Sequence, residues 1–137
     1  MSDDVNKKSR PEFRNIHVFE LMNYRMPLAA IVSILHRISG FLLFLSLPLL
    51  LRLLDSSLQS HDTFDAMKEC ASSPISKLVI LALSWAYLHH FCAGIRHLIM
   101  DMHIGLDKDS ARQSAASVLV VSLVLAALVA LKLFGAF

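Results

Sequence analysis

A chain of 137 residues that is 55% hydrophobic and only 18% charged, with a mean hydropathy of +0.58, is too apolar for one small soluble domain, whose surface must be largely polar. Its formal charge of +2 is too small to argue for a nucleic-acid partner. Two cysteines without CxxC spacing, Cys70 and Cys92, give no disulfide framework or zinc site, and Cys92 reads as a small apolar packing residue.

In chain order, a polar N-terminal tail comes first. Its opening residues, Met-Ser-Asp-Asp-Val-Asn-Lys-Lys, include acids and lack the Arg/Ser-rich amphipathic character of an organellar transit peptide, and no signal-peptide apolar region follows them. Three apolar stretches then stand out, Ile38 to Leu54, Leu78 to Met100 and Ala115 to Phe134. Each is near the ~20 residues that a helix needs to cross hydrocarbon, so three transmembrane helices are expected. The first should start earlier, around Pro27, because proline suits a first helical turn and Leu28 to Leu35 is apolar apart from Ser33.

A polar connection, Asp55 to Ser76, follows the first stretch, and its Ser72-Ser73-Pro74 resembles a helix start. The second connection is short, roughly Gly105 to Ser114. With no repeat or low-complexity tract, the expected organisation is a tail at residues 1–26 and one three-helix membrane domain at 27–137. Lys7, Lys8, Arg10, Arg14 and Arg25 in the tail, with Lys108 and Arg112, stand against Arg52, Lys68, Lys77 and Lys132 on the other side. Because basic residues are retained on the cytoplasmic side, the N-terminus is expected inside, and a bacterial inner membrane is favoured.

Two clusters of ionisable residues lie within these spans. Arginine at the centre of a bilayer costs at least ~2.5 kcal/mol, so intramembrane His and Arg point to a ligand, cofactor or partner. On the first helix Ser33, Arg37 and Gly40 share one stripe at i, i+4, i+7, with His36 ~60° from Ser33. On the second, His90, Gly94, His97 and Asp101 share a face, while His89 and Arg96 share another. His97 and Arg96 lie near the cytoplasmic surface, and His90 is ~10 Å deeper than His97. A neutral imidazole within the membrane is a good iron ligand, and Gly94 one turn away leaves room for a flat macrocycle. His90 with Gly94 therefore suits a haem, and the arginines and His36 would meet haem propionates or a quinone carbonyl. Against this, His89 and His97 could simply bond to neighbouring helices or reach the interface, Asp101 could be solvated or pair with His97, and both glycines could serve close helix approach.

At these residues the sequence resembles the cytochrome b membrane-anchor subunits of succinate dehydrogenase, respiratory complex II. The resemblance rests on Arg10-Pro11, Arg25-Met26-Pro27, the SILHRISG run from Ser33 to Gly40, and H-x-x-x-G-I-R-H-L-I-M-D from His90 to Asp101. Between the first two motifs the tail is longer than usual for the family. The resemblance implies an all-α membrane protein whose three transmembrane helices form part of a heteromeric bundle. It implies His90 as one axial ligand of a haem b shared with a second small anchor subunit, with His36 near a propionate. His89 beside His90 leaves a one-residue alternative for the ligand, which the spacing to Gly94 decides for His90. Ser33 and Arg37 would line a ubiquinone pocket beside the iron-sulphur subunit, with a flavoprotein subunit oxidising succinate. Two further readings are a haem-free structural anchor and a histidine-bearing membrane metal transporter.

Overall fold

The computed structural model describes residues 18–21 and 23–135, so Lys7, Lys8, Arg10-Pro11 and Arg14 lie outside the described residues. All of the regular structure among these residues is helical: α1 Val18–Leu21, α2 Leu28–Gln59, α3 His61–Ser72, α4 Pro74–Asp101 and α5 Lys108–Leu133. Of these, α2, α4 and α5 are long and apolar enough to cross a membrane. The protein is an all-α, multi-pass membrane protein.

Each helix has a readable start. Pro27 stands just before α2 in an extended conformation, and its carbonyl accepts from Ala30 N–H at 2.9 Å and Ile31 N–H at 3.3 Å. The fixed proline φ thus prepares the first turn from the N-cap position rather than from inside the helix. Ser73 caps α4 by accepting from Ser76 N–H at 3.2 Å, with Pro74 in the first turn, as the Ser72-Ser73-Pro74 run predicts. Asp107 caps α5, its carboxylate accepting from Ser110 N–H at 2.9 Å.

The connection expected between Asp55 and Ser76 is largely helical. Ser60 ends α2 and begins α3 through a reciprocal capping box: its hydroxyl accepts from Thr63 N–H, and Thr63 Oγ1 accepts from Ser60 N–H, both at 3.1 Å. None of the 12 residues of α3 is fully buried, and Asp62, Asp65, Lys68 and Glu69 make the stretch read as a polar connection although Phe64, Met67 and Ala71 share one helical face. The second connection is tighter than expected, because α5 starts at Lys108. His103 and Gly105 turn the chain there with φ of 62° and 70°, and glycine adopts that conformation without a Cβ penalty.

α4 is the central helix, packed against α2 on one side and α5 on the other. Its buried residues Ala86, His89, Ala93 and Arg96 repeat at helical spacing, as do Ala115, Val118, Ser122 and Ala126 of α5. Small residues at such seams let transmembrane backbones approach closely. Val32 of α2 joins Ala93, Ala115 and Val118 in one cluster, with Cys92 at its edge. In the three apolar windows only 11%, 17% and 22% of residues are buried, so most of the apolar surface faces outward.

Asp107 yields a pH prediction. The Ser110 hydroxyl and N–H hold its carboxyl below the usual aspartate range. The cap is therefore fully effective above the ordinary aspartate pKa and is lost as pH falls through the lowered value. Thermal melts in detergent should show Asp107 more stable than Asp107→Asn at neutral pH, with the gap closing on acidification. A gap independent of pH would remove the ionised cap from the argument.

Candidate functional site: a histidine seam between two membrane helices

The histidine motif on α4 and the SILHRISG run on α2 meet face to face. The His36 and His90 rings stack with centroids 4.1 Å apart and planes 11° from parallel, and His97 lies tilted against His36 at 5.0 Å. His90 Nδ1 is 3.0 Å from the backbone carbonyl of His36 and 3.3 Å from Ser39 Oγ. Ser39, itself buried, donates its hydroxyl to the same carbonyl at 2.9 Å. A carbonyl oxygen can only accept, so Nδ1 of His90 is the donor, and in the neutral ring that leaves the lone pair on Nε2.

That pattern is the one a metal-ligating histidine needs. Ligating imidazoles almost always donate their other ring N–H to a carbonyl or carboxylate, which fixes tautomer and orientation. Close approach is permitted by Gly40: a Cβ there would stand 2.7 Å from His90 Cε1 and 3.2 Å from Nδ1. Gly94 meets His36 instead, with its would-be Cβ at 3.8 Å from Nε2, an ordinary contact.

Ser33 and Arg37 lie on the same helix as His36, one turn apart. Ser33 is half-buried and Arg37 exposed, and neither side chain forms a hydrogen bond among the described residues. Their hydroxyl and guanidinium donors are available to a ligand.

Arg96 belongs to the opposite seam. It lies ~120° around α4 from His90, is buried, and donates from Nε to Ser114 Oγ at 2.9 Å and from an Nη to the Ala111 carbonyl at 3.4 Å. There it lines an apolar cleft of about 560 Å³ between α4 and α5. His89, fully buried, leans against Trp85 of its own helix with ring centroids 5.6 Å apart. The Val32 backbone of α2 faces the His89 ring without closing a bond of good geometry, and both ring nitrogens and Trp85 Nε1 are unbonded among the described residues. His36, His90, Gly94 and His97 therefore share one region, with Ser33 and Arg37 along the same helix, while Arg96 reaches α5 and His89 is enclosed beside Val32. Among the described residues, no group of three or more His, Cys, Asp or Glu could hold a metal ion.

Residues 8–129 match the family model described as succinate dehydrogenase/fumarate reductase transmembrane subunit. The chain belongs to that family. It is 33% identical over 131 residues to the succinate dehydrogenase cytochrome b556 subunit of Paracoccus denitrificans, covering 96% of this chain and 97% of that one. The subunit of the same name from Coxiella burnetii is 39% identical over 106 residues, 77% of this chain and 85% of the relative. A cytochrome b560 subunit from Porphyra purpurea is 36% identical over 90 residues, 64% and 71% of the two chains. The family indicated by the two long motifs is the family found, and both motifs fall inside the matched region.

Of the seam residues, Ser39 carries no role in the sequence reading, and Gly40 figures there only as a small residue for close helix approach. Ser39 sits inside the SILHRISG run, but a serine in a helix usually back-bonds to its own turn. Gly40 shares the Ser33–Arg37 stripe, and only the helix crossing brings it under His90. Gly40→Ala should push the His90 ring off its carbonyl and cost about 1–3 kcal/mol, as overpacking does. Gly94→Ala should be neutral or slightly stabilising, because alanine is the better helix former. Thermal unfolding of the two variants decides between them; equal behaviour would mean that Gly40 does not set the approach.

Proposed function

We propose that this protein is a membrane-anchor subunit of succinate dehydrogenase that helps to bind haem b through His90 and forms part of the ubiquinone-reduction site through Ser33 and Arg37. The observation that carries the reading is the protonated Nδ1 of His90 held by the His36 carbonyl at 3.0 Å, which presents Nε2 as a ligand nitrogen. Under the haem-free reading the same bond would only join α4 to α2. Family membership leaves the metal-transporter alternative without a supporting observation.

Haem b, when bound, supplies a one-electron redox centre within the membrane. This chain's part is to hold and surround it. His90 would supply one ligand nitrogen to the iron, and a second small anchor subunit would supply the other. His36, stacked on His90, and His97, tilted against His36, supply polar ring atoms for the propionates, and Gly94 lies against His36. Arg96 acts from the far side of α4 by bracing α5 through Ser114, a role removed from direct cofactor contact.

The quinone reaction is assigned to the cytoplasmic end of α2. Ser33 donates a hydrogen bond to a quinone carbonyl, and the Arg37 guanidinium stabilises negative charge as the quinone is reduced; charge-assisted donors in a poorly hydrated site are about twice as strong as neutral ones. Electrons come from succinate by way of a flavoprotein subunit and an iron-sulphur subunit docked on that side. Residues 1–26 form the cytoplasmic tail and 27–137 the anchor domain, in a bacterial inner membrane. Exposed Arg25 marks the cytoplasmic boundary.

Two variants of the purified complex test this. His90→Ala should abolish the bis-histidine b-type optical signal, and retention of that signal would move the ligand elsewhere. Arg37→Ala should reduce quinone reductase activity at least about 10²-fold, the range seen when a charge-stabilising donor is removed, while succinate oxidation by a soluble dye stays at wild type. Unchanged quinone turnover would take Arg37 out of the site.

A further inference from the structure

We infer that Ser39 is a positioning residue for the haem ligand: its hydroxyl lies between the His36 carbonyl and His90 Nδ1, holds the ring in one tautomer and sets the redox potential of the iron. The inference rests on the haem reading above.

Three other serines of the long helices make a local bond alone, whereas Ser114, like Ser39, adds a contact with a side chain of another helix, there Arg96. Ser46 donates to the Leu43 carbonyl at 2.7 Å, Ser57 to Leu54 at 2.7 Å and Ser122 to Leu119 at 3.1 Å, each three residues back along its own helix. Ser39 makes the same local bond to His36 at 2.9 Å, and it also stands 3.3 Å from a ring nitrogen of another helix. Because its proton points at the carbonyl, the lone pairs of Oγ are free to face the His90 N–H. Nδ1–H is thus shared between two acceptors, the carbonyl at 3.0 Å and the hydroxyl at 3.3 Å. Ser39 is 4% exposed, so bulk water does not compete for either bond.

This pair of acceptors has two consequences. A ring flipped by 180° would put a carbon where Nδ1 now sits and forfeit both bonds, so the orientation is doubly fixed. Electron density drawn onto the imidazole by two acceptors makes Nε2 a stronger donor to iron and favours the oxidised form, one of the levers by which proteins set haem potentials. Removing the hydroxyl deletes one acceptor outright. It also relieves the His36 carbonyl of a competing donor, but that adjusts a surviving bond by only about 10–30%. The loss of the acceptor therefore dominates, and the potential should rise.

The test is a redox titration of the haem in the intact purified complex, followed optically, for wild type, Ser39→Ala and Ser46→Ala. Ser46→Ala deletes a similar bond within α2 without touching the histidine seam. The expected result is a higher midpoint potential in Ser39→Ala and a wild-type value in Ser46→Ala, with dye-linked succinate oxidation equal in all three. An unchanged or lowered potential in Ser39→Ala, or equal shifts in the two variants, overturns the assignment. If Ser39→Ala assembles without haem, Ser39→Cys keeps the volume with a weaker acceptor and should show the same upward shift, its absence again overturning the assignment. A wild-type complex with no b-type haem would defeat the haem reading itself, an outcome distinct from a haem whose potential ignores Ser39.

Discussion

A polar side chain between membrane helices has no water to turn to, and that constraint organises the seam of α2 and α4. His90 lies among apolar helices where an unbonded ring N–H would cost on the order of 1–3 kcal/mol. Its proton goes to a main-chain carbonyl of α2, one that already serves its own helix and Ser39. The bond fixes the crossing of the two helices and the tautomer of the ring at once. Had Nδ1 found no acceptor in α2, nothing would dictate which nitrogen remained available for a metal. Gly40 belongs to the same constraint, since a 3.0 Å bond between a side chain and a neighbouring backbone needs a surface without a Cβ at the crossing.

The two faces of α4 divide the work of structure from that of chemistry. On its buried face the helix carries Ala86, His89, Ala93 and Arg96, with Ala93 in one cluster with Val32 of α2 and Ala115 and Val118 of α5, and the guanidinium reaches the Ala111 carbonyl and Ser114 near the start of α5. A buried cation tied to neutral oxygens on the adjacent helix braces the pair, and Arg is suited to it because its five donors form a preorganised fork. Toward α2 the helix presents half-buried His90, Gly94 and His97. Groups that are half-buried within a single subunit remain open to a ligand, whereas fully enclosed ones such as His89 do not. Neighbouring histidines thus acquire opposite characters through the 100° between successive residues on a helix.

Much of this was legible in the chain and some was not, for reasons that differ by residue. Hydropathy located all three spans but placed the start of the first uninterrupted stretch at Ile38, ten residues after α2 begins, because His36 and Arg37 break the apolar run without breaking the helix. The cap of α4 was legible as Ser73-Pro74, since it depends on a local hydrogen bond and a fixed φ. The helix α3 was hidden, because its charged residues make it read as a polar connection, and its Ser60–Thr63 box lacks the usual Glu or Gln. The grouping of His90, Gly94 and His97 followed from spacing alone. Which glycine lies against His90 did not, because spacing within one helix says nothing about a residue on another. Arg96 posed the same difficulty: its angle on α4 separated it from His90, but only the position of α5 shows that it has a partner there.

The exposed surface completes the physical picture. Phe41, Phe44, Leu45 and Leu51 of α2 all point outward, as do Val120, Leu123 and Val124 of α5. In water such faces would drive aggregation, whereas in a bilayer they cost nothing, because lipid tails are as apolar as leucine. The hydrophobic effect therefore contributes little to holding these helices together, and their register rests on close packing at small residues and on a few polar contacts. Of those contacts, two sets join the central helix to its neighbours: His90 with His36 and Ser39 on one side, Arg96 with Ser114 and Ala111 on the other. The polar residues that mark a membrane chain as functional are in this chain also the ones that align its helices. A substitution at His90 thus removes both the stacked ring and the bond that sets the crossing, whereas one at Ser39 leaves the carbonyl bond in place.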